Sequence, residues 1–180
     1  MSIGELFLIL TGCVFSSNYI LVHYCGADTA LSASTLSLKN SVLYSLYLAL
    51  VLVISALIIW PLEHYLLSSA YFLRLLLYVV TILLVTALVS KAASKKGGEL
   101  FSLALSSSIL GALLLFQENG YTFLETIFAA IGTSIGYLLV SLALSSVREK
   151  VKDRYVPSAL RGWPVMMISL GIIAMTVYAF

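Results

Sequence analysis

Six long apolar runs, separated by short clusters of turn-forming and charged residues, set the pattern of this chain. They cover residues 6–24, 42–60, 71–90, 100–116, 123–147 and 163–180. Each is close to the roughly 20 mostly apolar residues that a helix needs to cross hydrocarbon. Between them fall Trp60-Pro61-Leu62-Glu63, Lys95-Lys96-Gly97-Gly98, Glu118-Asn119-Gly120 and the polar stretch 148–164. The runs do not alternate and are about twice as long as a barrel strand, which argues against a β-barrel. The pattern predicts an all-helical, polytopic membrane protein with six transmembrane helices, forming a single integral membrane domain over residues 1–180.

Composition agrees. Of the 180 residues, 61% are hydrophobic and 10% charged, with a mean hydropathy of +1.07. A soluble domain carries about 25% charged residues, so the lipid bilayer is the expected solvent. No Lys or Arg precedes the first run, and Glu5 is acidic, so that run is expected to stay as a span rather than be removed as a signal. No basic face interleaved with aromatics exists, and no nucleic-acid partner is expected. No glycine-rich phosphate loop follows a strand, which removes a nucleotide site. Cys13 and Cys25 are too few for a disulfide framework. His23 and His64 are expected on opposite membrane faces, and Glu125 at an interface, so no catalytic constellation forms.

Charge placement supplies a direction. Lys39, Lys91, Lys95, Lys96, Arg148, Lys150, Lys152, Arg154 and Arg161 fall in alternate loops, whereas the other side has only Arg74. Nine against one places the basic loops in the cytoplasm and both termini outside.

Polar residues inside the runs raise a second question. Gly4-Glu5-Leu6-Phe7 opens the first run, and the same tetrapeptide, Gly98-Glu99-Leu100-Phe101, opens the fourth. A polar knot follows in each: Ser16, Ser17 and Asn18 in one, Ser106, Ser107 and Ser108 in the other. Three runs per half make a duplicated second half enter the membrane inverted. The expectation is a 3+3 inverted repeat, with halves at about 1–90 and 91–180 and with broken first and fourth helices. Serines in membrane helices also bond to their own backbone or ease close packing, and that plainer reading stays open. Asn18 needs a partner, because an unpaired amide in hydrocarbon costs several kcal/mol. His23 reads as interfacial near the inner end of the first span. Gly132 and Gly136 read as a close-packing pair.

These residues resemble a known family. Ser146-Val147-Arg148-Glu149-Lys150 and the segment from Val156-Pro157 through Arg161-Gly162-Trp163-Pro164 look like the last loop and span of the Rnf A and Nqr E subunits. Asn18-Tyr19-Ile20-Leu21-Val22 resembles the family's first-span motif, and Pro61-Leu62-Glu63-His64-Tyr65-Leu66-Leu67 its second external loop. Ser108-Ile109-Leu110-Gly111 and Tyr121-Thr122-Phe123-Leu124-Glu125 resemble the fourth and fifth spans. The likeness extends over nearly the whole chain.

The resemblance implies an integral membrane subunit of an ion-translocating oxidoreductase, with electron transport coupled to sodium-ion or proton movement. It implies a location in the inner (plasma) membrane of a bacterial or archaeal cell, and as partners an inverted sister subunit of the Rnf D/E type and flavin-bearing and ferredoxin-like subunits. It also implies a [2Fe-2S] cluster shared with the sister, each subunit giving two cysteines. The sequence departs at both ligand positions: Gly26-Ala27-Asp28-Thr29 has Asp28 in place of one thiolate, and Ser106-Ser107-Ser108 has Ser107 in place of the other. Soft thiolates hold such clusters, and oxygen donors are poor substitutes, so none is expected on this chain alone. Cys25 is the nearest thiol, three residues early, while Cys13 lies about 18 Å away along an unbroken helix. The alternative is a redox-free transporter or substrate-binding component on the same scaffold, with Asp28, Asn18 and Ser107 as oxygen ligands for a hard cation such as sodium. A third reading is a structural paralogue that fills space in an assembly.

Overall fold

The computed structural model describes residues 3–34, 38–66, 71–92, 107–151, 156, 157, 160 and 162–178. Among them are eight α-helices and no strand. They are α1 (Ile3–Val14), α2 (Tyr19–His23), α3 (Ala27–Ser34), α4 (Leu38–Leu66), α5 (Arg74–Ala92), α6 (Ser107–Glu118), α7 (Phe123–Lys150) and α8 (Trp163–Tyr178). A 3-10 turn over Tyr71–Leu73 leads into α5.

Helices α4, α5 and α7 are long and apolar enough to cross a membrane, with 29, 19 and 28 residues. At 1.5 Å per residue α7 extends about 42 Å. By contrast α1 has 12 residues and reaches about 18 Å, roughly half of a 30 Å hydrocarbon core; α6 has 12 described residues. The first run is therefore interrupted: α1 stops at Val14 and the chain restarts as α2 and α3. Of the fourth run, only the part from Ser107 onward lies within the described residues.

Helix α7 is the axis of the fold, with 56% of its apolar window buried against 28% for α5. Small residues let its neighbours approach. The hydroxyls of Ser45 in α4 and Ser141 in α7 lie 2.9 Å apart, and Ser145 donates to Ser41 at 3.3 Å, all four buried. At the other end of the same pair, Trp60 Nε1 donates to the Tyr121 carbonyl at 3.1 Å and its ring meets Phe123 edge-on. Helices α4 and α7 are thus antiparallel. On the opposite flank Gly132 and Gly136 admit α1: a Cβ at Gly132 would lie 2.8 Å from the Leu10 carbonyl oxygen. The close-packing reading of this pair describes what is there. Outside this core, Phe7, Leu8, Phe72, Leu84 and Met175 are exposed, as expected for side chains meeting lipid or a second protein.

One sequence expectation needs correction. The pattern predicts a turn after residue 60 containing Pro61 and Glu63, yet α4 continues through them to Leu66. A proline removes a single backbone donor, and the helix beyond it is anchored sideways. Glu63 is buried, pairs with Arg74 Nε at 2.7 Å, and accepts a hydrogen bond from the Tyr78 hydroxyl on α5.

The antiparallel order also sorts the charges. Lys39, Lys91, Arg148 and Lys150 lie at one end of the bundle, while Glu63, Glu118 and Glu125 lie at the other. Glu125 works as a cap there: its carboxylate accepts the Thr122 N–H at 2.8 Å at the start of α7.

Candidate functional site

Gly136 is the fourteenth of the 28 residues of α7, and it marks the mid-depth of the bundle. The interruption of the first run sits against it. A Cβ at Gly136 would lie 2.6 Å from Asn18 Nδ2 and 3.2 Å from the Cys13 carbonyl oxygen, so only glycine leaves room for the break.

Asn18 makes that break possible. Its Nδ2 donates to the Val14 carbonyl at 3.0 Å, closing the end of α1, and its Oδ1 accepts the Ile20 N–H at 3.1 Å, opening α2. A helix end inside hydrocarbon leaves backbone groups with no water to satisfy them. One buried amide supplies a donor to one end and an acceptor to the other. The partner that Asn18 requires is the backbone on either side of it. Ser16 and Ser17 lie in the turn between, exposed, with the Ser17 N–H bonded to the Gly12 carbonyl at 2.7 Å.

A second turn follows α2. Tyr24 adopts the left-handed conformation at φ 56°, and Gly26 follows at φ 87°. Gly26 is required twice over, by that angle and by contact: a Cβ there would overlap the Ser108 side chain. The turn brings the first run against the start of α6. Ser107 Oγ accepts the Gly26 N–H at 3.2 Å and donates to Asp28 Oδ1 at 2.8 Å. Two residues separated by 79 positions, singled out because both stand where the resemblance implies thiolates, are hydrogen-bonded to each other.

The remaining residues fall as follows. Cys25 is half-buried and packs on α6, where a Cβ at Gly111 would lie 2.7 Å from its sulfur. Cys13 is buried against Gly132 on α7. Ser108 is buried beneath Gly26, and Ser106 lies outside the described residues. Asn18, offered with Asp28 and Ser107 as an oxygen ligand, spends its polar atoms on the backbone and is not joined to that pair by a hydrogen bond.

His23, exposed at the end of α2, stacks on Tyr19 at 5.9 Å, and Tyr19 meets Phe116 of α6 edge-on at 5.6 Å.

The residues present do not fit an iron–sulfur cluster. Asp28 and Ser107 present hard oxygens that satisfy each other, and the nearby thiol of Cys25 is packed against Gly111. Among the described residues no group of three or more His, Cys, Asp or Glu side chains is gathered as a metal site. Sequence reasoning missed the Glu63–Arg74–Tyr78 cluster at the acidic end. Its one legible signal was an arginine, Arg74, on an otherwise acidic side.

Comparison with known proteins places this chain in a family. The A subunit of the Na(+)-translocating ferredoxin:NAD(+) oxidoreductase complex of Acetobacterium woodii is 23% identical over 185 residues, covering 97% of this chain and 96% of that one. The A subunit of the ion-translocating oxidoreductase complex of Pseudoalteromonas atlantica is 25% identical, with 98% and 96% covered. The corresponding subunit of Aromatoleum aromaticum is 26% identical, with 95% and 93% covered. Residues 6–180 match the family described as Rnf-Nqr subunit, membrane protein. With apolar helices end to end and similarity over nearly its full length, this chain belongs to the Rnf-Nqr subunit family of membrane proteins.

Proposed function

We propose that the chain is the A-type integral membrane subunit of an ion-translocating oxidoreductase complex, in which electron transfer drives a sodium ion or proton across the membrane. The carrying observation is similarity to the A subunits of such complexes over at least 95% of the chain and 93% of each relative compared. Such a subunit works with an inverted sister membrane subunit of the Rnf D/E type and with flavin-bearing and ferredoxin-like subunits. The basic end, with Lys39, Lys91, Arg148 and Lys150, faces the cytoplasm of a bacterial or archaeal cell, which puts both termini outside. The two halves, about 1–90 and 91–180, are inverted copies, a reading supported by the tetrapeptide shared by residues 4–7 and 98–101 and by the interruption of the first run at Asn18.

A redox-free transporter is the second reading, favoured by oxygens at positions 28 and 107. It is weaker because Asn18 is committed to the backbone and Ser107 to Asp28 and Gly26.

The test is purification of the tagged chain from its native membranes in mild detergent, alongside cation uptake by inverted vesicles. Recovery of flavin-bearing and ferredoxin-like polypeptides, and loss of ferredoxin- or NADH-driven uptake on deletion of the gene, are expected. Recovery of the chain without them, with driven uptake unchanged in the deletion strain, overturns the reading.

A further inference from the structure

Where the resemblance implies a bridging cluster, the interrupted first run and the start of α6 are already joined. We propose that Asp28 and Ser107 form a permanent hydrogen-bonded staple at the mid-membrane junction, replacing the cluster ligands with a link that has no redox chemistry. The inference rests on the reading of the chain as an Rnf-like membrane subunit, and it concerns what the chain contributes within that role.

Three features carry it. The Ser107 hydroxyl is used in both directions, accepting from Gly26 and donating to Asp28, so one side chain ties the turn before α3 to the first residue of α6. Asp28 lies in the first turn of α3, which holds its carboxylate against the Ser107 hydroxyl. The backbones also touch. Gly26 and Ser108 approach so closely that an added Cβ would overlap, and Gly111 likewise holds the Cys25 sulfur against α6. The junction is shut by contact, without an inorganic bridge.

The consequence is chemical. An iron–sulfur group changes charge when an electron arrives, whereas a carboxylate hydrogen-bonded to a serine has no such response. This half of the junction then offers no redox group to electrons crossing the assembly.

Paired cysteines test the contact. Asp28→Cys and Ser107→Cys are introduced together into full-length chain carrying Cys25→Ala, and membranes are treated with copper phenanthroline. The expected result is loss of two maleimide-reactive thiols, restored by dithiothreitol, with no loss in either single variant. Two introduced thiols that stay reactive after oxidation overturn the staple. Iron and acid-labile sulfide in purified wild-type chain, before and after incubation with ferrous iron and sulfide, give an independent check. Background values are expected; iron retained by the wild type and lost in Ser107→Ala overturns the proposal even if the double variant does not fold. Both readouts use the chain alone. Failure to recover partner subunits would count against the assembly reading and leave these results standing.

Discussion

Asn18 shows how much one side chain decides in a medium without water. Its amide satisfies the Val14 carbonyl and the Ile20 N–H together, and it is 3% exposed. Alanine at this position strands a donor and an acceptor in an apolar setting. The expected cost is about 2–6 kcal/mol, taking about 1–3 kcal/mol per unsatisfied buried group. Thermal unfolding of the purified Asn18→Ala chain in detergent checks it, and a midpoint equal to wild type would count against this role. The position was legible beforehand because an amide within an apolar run demands a partner. The identity of that partner was not, since a pattern of residue types does not say where a helix stops. Asp28 and Ser107 were likewise legible as departures from a family pattern, but their meeting depends on two turns, at Asn18 and at Tyr24–Gly26, that only the fold displays.

At the scale of elements, the half-length helix α1 is admitted by close packing on α7. Gly136 has Asn18 Nδ2 and the Cys13 carbonyl in the space a Cβ would take, whereas Gly171 on α8 has nothing within 4 Å. Gly136→Ala is therefore expected to destabilise by about 1–3 kcal/mol through overpacking, and Gly171→Ala to be neutral or slightly stabilising. Comparing the two unfolding midpoints separates local crowding from a general effect of removing glycine. The α4–α5 joint is a second case. Glu63 holds Arg74 and Tyr78 across the turn, so Glu63→Gln weakens the joint by about 1–3 kcal/mol, and increased proteolytic cleavage between α4 and α5 is the readout. This joint was hidden from sequence reasoning for a physical reason. Proline and glutamate read as turn formers after a span, yet burial against α5 carries α4 on to Leu66. The long apolar helices were legible because hydrocarbon thickness fixes their length; the ends near acidic residues were not, because side-chain pairing moves them.

Across the whole molecule, two asymmetries coexist: basic residues gather at one end, and the interruption of the first run sits at mid-depth. The first gives an orientation. Tags on either terminus are expected to be reachable from outside intact cells, with loop residues beside Lys91 and Lys150 labelled only after permeabilisation. The second is what turns a bundle into part of a machine, because helix ends inside the membrane exist only where protein supplies their partners. The exposed Ser16, Ser17 and Asp28 on that surface are polar groups at a depth where lipid is a costly neighbour, which fits a subunit that works against another protein. The most direct measurement is an electron cryomicroscopy map of the chain in its native membrane complex. The account predicts an α1 that ends at Val14 near the bilayer centre, Asp28 in contact with Ser107, and no cluster density ligated by this chain. A continuous helix through residues 6–24, or inorganic density bonded to positions 28 and 107, would contradict it.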